Sequence, residues 1–255
     1  MFRKPIGAAG NFDDEDADLW LARTVAYWQS IRDKAPRIEV PDKKATDAFW
    51  AALCYQLISN DRGKYRPGEG FWDNYWMRDG AYMEVHYAEM GLWDVVWKGF
   101  DYMFTWQQGD GSFDCAYDGQ QGPQYDGNGQ AMWSIWRCFK LSGNQEWMAA
   151  NYPRLKRAAD WIVATRKKPG NPFPGLLPGA PADGENLWDG RHHIVGYDLW
   201  NLRGLLCAAD VAAALGKTQD AQAWLKDAAD YRKAIDEAQK KTGVAYFPPS
   251  WEKDG

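Results

Sequence analysis

Apolar residues recur along this chain at intervals of three and four, the spacing that gathers side chains onto one face of an α-helix. Phe49, Ala52, Leu53 and Leu57, with Gln56 among them, make one such stripe; Trp93, Val96, Trp97, Phe100 and Phe104 make a second. Met132, Ile135, Trp136 and Phe139 continue the pattern, followed by Leu199, Leu202, Leu206 and Ala209, and then by Trp224, Ala228, Tyr231 and Ile235. An earlier helix is predicted from about Asp16 to Ile31, with Leu19, Ala22, Val25 and Ala26 on one side. Pro153 interrupts the periodicity between Gln145 and Arg166, which predicts a short helix and then a second one opening on proline. The runs Arg37-Ile38-Glu39-Val40 and Gly243-Val244-Ala245-Tyr246-Phe247 show no convincing alternation and are expected as extended connections.

The connections fall into two kinds. Gly91, Gly143 and Gly216 each follow a periodic segment at once, where a left-handed C-terminal cap favours a residue without a Cβ, and so predict tight turns. The others are long and rich in Gly, Pro, Asp and aromatics, running roughly from Asn60 to Met77, Gln107 to Tyr125, and Lys167 to Val195. Loops of this length in a compact domain are usually functional or disordered, and their tryptophans argue against disorder. Two helices joined by a tight turn separate each long loop from the next. In an up-and-down array all three loops therefore emerge at one end, where a pocket is expected. Each carries an acidic, aromatic segment: Tyr75-Trp76-Met77-Arg78-Asp79-Gly80, Pro123-Gln124-Tyr125-Asp126-Gly127, and Asn186-Leu187-Trp188-Asp189-Gly190.

Composition narrows the classes. A chain of 255 residues with 45% hydrophobic and 25% charged residues fits an ordinary globular protein with a sizeable core. A net charge of −5 without basic runs gives no footprint for nucleic acid. No apolar run approaches the roughly 18–20 residues of a membrane span, and Met1-Phe2-Arg3-Lys4-Pro5 leads into no apolar signal core. Cys54, Cys115, Cys138 and Cys207 lack C-x-x-C spacing and read as reduced core thiols, which leans toward the cytoplasm without setting the compartment.

Tryptophan, at 16 residues beside 13 Tyr and 10 Phe, is more abundant than a core requires. Trp93, Trp97, Trp136 and Trp224 recur at helical spacing, whereas Trp72, Trp76, Trp188 and Trp251 sit in loops among glycine and acidic residues. Aromatic faces interleaved with carboxylates and Arg suit a ligand with apolar C–H faces and many hydroxyls, which is the character of a sugar. Packing of the loops is the competing explanation for each tryptophan taken singly.

Trp76-Met77-Arg78-Asp79-Gly80-Ala81 resembles the Trp-x-Arg-Asp segment of glucoamylases and related six-hairpin glycosidases. Pro123-Gln124-Tyr125-Asp126-Gly127 is similar to their second conserved loop. Asn186-Leu187-Trp188-Asp189 resembles the segment that supplies their general acid. The resemblance covers roughly Lys43 to Lys241. It implies an all-α fold, an (α/α)6-toroid type of helical-hairpin array, here incomplete, with about seven barrel helices plus one preceding helix. Residues 1–42 would be a lead-in with one helix and a linker, and residues 43–255 a partial toroid domain, so that the chain reads as C-terminally truncated.

The resemblance further implies a carbohydrate substrate and exo-acting, inverting acid/base hydrolysis; the acidic pocket loops favour a neutral oligo- or polysaccharide, and no cofactor or metal is expected. Arg78 and Asp79 match the pair that grips sugar hydroxyls, and Asp126, Trp76 and Trp188 would line the same pocket. Asp189 stands at the general-acid position, where the family usually has glutamate, with Glu185 or Asp183 as the alternative acid. The family's base lies in a last hairpin that this chain does not reach, and Glu252 is the late carboxylate that could stand in for it. A noncatalytic carbohydrate-binding or interaction fragment is the alternative reading. A polysaccharide lyase or uronide hydrolase on the same fold is a third, disfavoured by the acidic loops. Uncovered helix faces would invite self-association.

Simpler readings of the same residues remain. Asp79 could merely cap its helix, and Asp189-Gly190 could be an ordinary turn. The stretch from Asp110 to Gly129 could bind calcium, although it lacks the alternation and closing Glu of an EF-hand. His192 and His193 are adjacent and cannot face one metal as residues four apart on a helix would. One is expected to pack and the other to be solvated.

Overall fold

Three glycines set the path of the chain. Gly91, Gly143 and Gly216 have φ of 69°, 63° and 70°, and each turns the chain back within a few residues. The Gly143 N–H bonds the Phe139 carbonyl at 2.9 Å, closing the preceding helix as a left-handed cap should. In the computed structural model, which describes residues 16–68, 70, 73–113, 124–181 and 190–252, these turns join α3 (Met77–Glu89) to α4 (Trp93–Met103), α5 (Asp126–Ser142) to α6 (Gln145–Arg166), and α7 (Val195–Ala214) to α8 (Thr218–Thr242). Ahead of them lie α1 (Ala17–Lys34) and α2 (Lys43–Ile58). The protein is an all-α helical-hairpin array, as its periodicity predicts.

The helices form two layers. α3, α5 and α7 pack side by side as an inner row, and α4, α6 and α8 lie against them. All three inner helices start at the end where the long connections emerge. Their approach is closest at Gly129 and Gly204, where α5 and α7 touch backbone to backbone: a Cβ on Gly129 would fall on the Trp200 carbonyl, and one on Gly204 would come within 3.0 Å of the Gly129 Cα. Between the layers Leu53, Val96, Phe100, Met132, Ile135, Leu155, Ile162 and Tyr231 are buried. Cys138 and Cys207 are buried free thiols and Cys54 a partly exposed one, while Cys115 lies outside the described residues. No helix among the described residues is long and apolar enough to cross a membrane.

Several elements depart from expectation. α6 is one continuous helix through Pro153. The proline lacks the N–H that would bond the carbonyl four residues back, a loss of about 3 kcal/mol in isolation. Met148, Tyr152 and Leu155 are buried on both sides of it, and the Asn151 side chain bonds the Trp147 carbonyl at 2.9 Å, so packing holds the helix across the break. Two antiparallel pairs of two residues each were not legible as strands: β1 (Asn60–Asp61) with β2 (Lys64–Tyr65), and β3 (Ala180–Pro181) with β4 (Arg191–His192). Segments this short show no alternation. The first pair is made by its turn, where Arg62 and Gly63 both take positive φ as a primed hairpin turn requires.

The buried faces also differ at two helices. Leu199 and Leu206 of α7 are exposed, and the helix buries Tyr197, Asp198, Asn201, Leu205 and Ala208 instead. A helix apolar on nearly every side offers no single stripe from which to choose a face. α1 buries only Ile31, leaving Leu19 and Val25 exposed.

Candidate functional site

α3 and α5 each begin with the residues that the sequence singles out. Trp76 occupies the N-cap position of α3 and makes no side-chain cap, so Arg78 and Asp79 fall in the first turn. Asp79 is therefore not the N-cap residue; its charge lies in the first turn, where the helix dipole favours an anion. Asp126 is the first residue of α5. Across the gap the Arg78 Nε donates to Asp126 Oδ2 at 2.9 Å, and its Nη2 donates to Gln124 Oε1 at 3.3 Å. Gln130, one turn into α5, donates to the same Asp126 oxygen at 3.3 Å. The Arg78 side chain is 29% exposed and that of Asp126 8%. An arginine fork and a carboxylate thus face one another at the rim of the array, in a charge-assisted hydrogen bond.

The third inner helix is fastened to the same end. Asn128 Nδ2 donates to Asn201 Oδ1 at 3.0 Å, and Asn201 Nδ2 reaches the Tyr125 carbonyl at 2.7 Å, tying the start of α5 to α7. The third expected segment, with Asp183, Glu185, Trp188 and Asp189, lies outside the described residues, as does Trp72. Both flanks of that segment are fixed at the start of α7. The β3–β4 pair joins them, Tyr197 Oη donates to the Pro181 carbonyl at 2.8 Å, and Arg191 Nε donates to the Gly179 carbonyl at 2.9 Å.

Sequence reasoning missed Asp198, which organises this region from below. It is buried inside α7, where Oδ1 accepts from the Leu177 N–H at 3.0 Å and Tyr231 Oη at 2.7 Å, and Oδ2 accepts from Trp251 Nε1 at 2.7 Å. Burial pushes its carboxyl up, against these three donors and the Arg166 charge. Its signal in the sequence was an aspartate within an otherwise apolar helix. Trp251, read as a loop tryptophan without a core role, is buried and belongs to this anchor.

The anchor fixes a strap, the segment after α8. The Val195 N–H bonds the Pro249 carbonyl at 3.1 Å, and the Trp251 N–H bonds the His193 carbonyl at 3.0 Å. Glu252 then folds back on His193, with Oε1 2.6 Å from Nδ1 and both carboxylate oxygens 3.2 Å from the His193 N–H. Burial alone would raise this carboxyl, but the hydrogen bonds from the His193 side chain and backbone leave it below the usual glutamate value. A carboxylate so occupied is poorly suited to take a proton from water near neutral pH. His193 packs on Phe173, ring centres 4.8 Å apart. Among the described residues no group of three or more His, Cys, Asp or Glu is placed to hold a metal ion.

Three parallel inner helices whose long connections share one end, with Arg78 and Asp126 paired across the first turns of two of them, define an all-α array of α/α hairpins. A curated relative, an uncharacterized glycosyl hydrolase of Methanocaldococcus jannaschii, is 21% identical over 214 residues, 78% of this chain and 33% of that protein. Among solved structures, the alpha-L-rhamnosidase from Dictyoglumus thermophilum superposes with a TM-score of 0.50 at 13% identity, over 73% of this chain and 22% of that one, a likeness of fold alone. The chain spans about a third of the length of the curated relative. No family model matches it. The sequence likeness is to glycosyl hydrolases at the level of the family, without a sugar or linkage attached.

Proposed function

We propose that this chain forms the sugar-gripping part of a glycoside hydrolase that acts on neutral oligo- or polysaccharides. The observation that carries the reading is the contact between Arg78 and Asp126, which joins the first turns of two inner helices, α3 and α5. Arg78, Asp126 and Asp79 hold the hydroxyls of a terminal sugar, and Trp76 and Trp188 are the aromatic residues proposed to contact it. Asp189 is the general acid, with Glu185 as its alternative, and protonates the leaving glycosidic oxygen as the bond to the anomeric carbon breaks. In an inverting reaction water attacks that carbon from the opposite face and gives its proton to a second carboxylate about 6.5–9.5 Å from the acid.

A noncatalytic carbohydrate-binding role is the second reading. It is favoured by Glu252, the late carboxylate that could have been the base, whose oxygens are occupied by His193. The test is hydrolysis of a panel of neutral oligosaccharides, with the anomeric proton followed by NMR, for the wild type and Asp189→Asn. Release of an inverted sugar by the wild type alone supports the enzyme. Saturable binding without turnover, lost in Arg78→Ala, supports the binding module. Neither turnover nor binding removes both.

A further inference from the structure

Below the Arg78–Asp126 pair, the open face of the inner helices is layered. Tyr82 of α3, Trp133 of α5 and Trp200 of α7, one residue from each helix, meet tilted or edge to face, with ring centres 5.4 Å and planes 58° apart (Tyr82–Trp133), 6.1 Å and 84° (Tyr82–Trp200), and 5.8 Å and 61° (Trp133–Trp200). Beneath them lies a layer of charge that is already paired. Arg137 bonds Glu89 at 3.0 Å, Lys140 lies 3.3 Å from Asp210, and Arg203 sits over the Trp136 ring, whose Nε1 donates to Asp210 at 2.6 Å. We infer that Tyr82, braced by Trp133 and Trp200 inclined against it, is the stacking platform for a pyranose ring whose hydroxyl edge is held by the Arg78–Asp126 pair. The inference rests on the proposed function and names the recognition element of that same site.

Helix geometry places the two layers in register. Tyr82 follows Arg78 by four residues and Asp79 by three, so it lies on the same face one turn deeper, about 5 Å along the axis. Trp133 follows Gln130 by three and Asp126 by seven, again on one face. Trp200 follows Gly196 by four, and among the described residues nothing lies within 4 Å of where a Cβ on Gly196 would stand. Tyr82 itself is 50% exposed, although two tryptophans stand beside it. An aromatic floor under a hydrogen-bonding rim matches a molecule with a C–H face and a hydroxyl edge. A protein partner matches less well, because the charges bordering the floor at the back are satisfied within the chain and offer it little.

The platform is tested by calorimetric titration of the whole chain with methyl glycosides of neutral sugars, alongside sedimentation to follow oligomeric state. Tyr82→Ala should weaken binding about tenfold, and Tyr82→Phe, which keeps the ring, should restore most of it. Tyr55→Ala, which removes a 70% exposed tyrosine from α2, is the control and should bind as the wild type does. Tyr82 is half exposed, so its truncation is not expected to unfold the protein. If Tyr82→Ala binds sugar normally while Arg78→Ala does not, the platform is wrong and the proposed function stands. A change in oligomeric state with unchanged sugar affinity also overturns it and makes the face an interface between copies. If the wild type binds no neutral sugar, the platform and the reading beneath it both fall.

Discussion

Arg78 and Asp126 lie 48 positions apart in the chain, yet Nε of one is 2.9 Å from Oδ2 of the other. Neither residue travels to reach its partner: each stands in the first turn of an inner helix, and the side-by-side packing of α3 and α5 sets their separation. The pair is thus a product of helix packing, with its charges fixed by the fold.

Arg78→Ala removes the charge partner of a nearly buried carboxylate. Breaking a buried pair from one side costs about 3–5 kcal/mol, and the partial exposure of Arg78 lowers the expected loss to about 1–2 kcal/mol. Arg78→Lys keeps the charge but cannot reach Asp126 and Gln124 with two nitrogens at once. Urea denaturation should show Arg78→Lys close to the wild type in stability, while sugar titration should place it close to Arg78→Ala. A lysine variant that binds like the wild type would mean that the fork geometry is irrelevant.

Asp198→Ala should be among the most damaging substitutions. It orphans the Leu177 N–H, Tyr231 Oη and Trp251 Nε1 together, each buried donor being worth about 1–3 kcal/mol when left unmet. An overall loss of about 3 kcal/mol or more is expected in urea denaturation. The strap should loosen with it. Hydrogen exchange at the Trp251 and Val195 amides, whose bonds to the His193 and Pro249 carbonyls hold the strap, should then accelerate more than exchange in α5.

Glu84 sets a pH dependence. Its carboxyl is buried in α3, where Oε2 accepts from Tyr65 Oη at 3.0 Å. Burial pushes its pKa well above 4.5, opposed by the Tyr65 bond and helped by the Asp101 charge. A carboxyl raised in the folded state binds more protons there than when unfolded, so stability falls as pH rises above about 4.5, by up to ~1.4 kcal/mol per pH unit until the folded pKa is passed. Glu84→Gln mimics the protonated form and should flatten that slope. Unfolding free energies at pH 5 and pH 8 should differ less in the variant, which should be the more stable at pH 8. An unchanged slope would assign it elsewhere, Asp198 first, because its carboxyl is also raised by burial.

The same residues show how far the sequence could be read. The hairpins were legible because helix period and glycine caps are local: Gly91, Gly143 and Gly216 need left-handed φ whatever surrounds them. Arg78 and Asp126 were legible as lying at one end of the array because alternating long and short connections put them there. Their hydrogen bond was not, since a contact across two helices depends on how closely those helices pack. Trp251 misled because its loop composition said surface, whereas the buried acceptor on Asp198 drew it inside. The α7 face misled because burial on several sides erases the amphipathic signal. Pro153 misled because a local cost of about 3 kcal/mol is smaller than what buried neighbours can offset.

The fit between α5 and α7 gives a pair of substitutions of opposite sign. Alanine has the higher helix propensity by about 1 kcal/mol, so a glycine within a helix is retained against that gradient only where its missing Cβ matters. At Gly129 a Cβ would meet the Trp200 carbonyl and the Asn201 N, both backbone atoms that cannot swing aside as a side chain would. Gly129→Ala must therefore push the two helices apart, at a cost of about 1–3 kcal/mol that outweighs the propensity gain. The separation would also strain the Asn128–Asn201 bond and shift Trp133 relative to Trp200, so sugar binding should weaken with stability. Gly196, in the first turn of α7, has no described residue within 4 Å of where a Cβ would stand, and Gly196→Ala should stabilise by up to about 1 kcal/mol. Thermal melts of the two variants should move in opposite directions. If both rise, α5 and α7 do not pack as closely as Gly129 and Gly204 indicate, and the register of the aromatic layer would have to be drawn again.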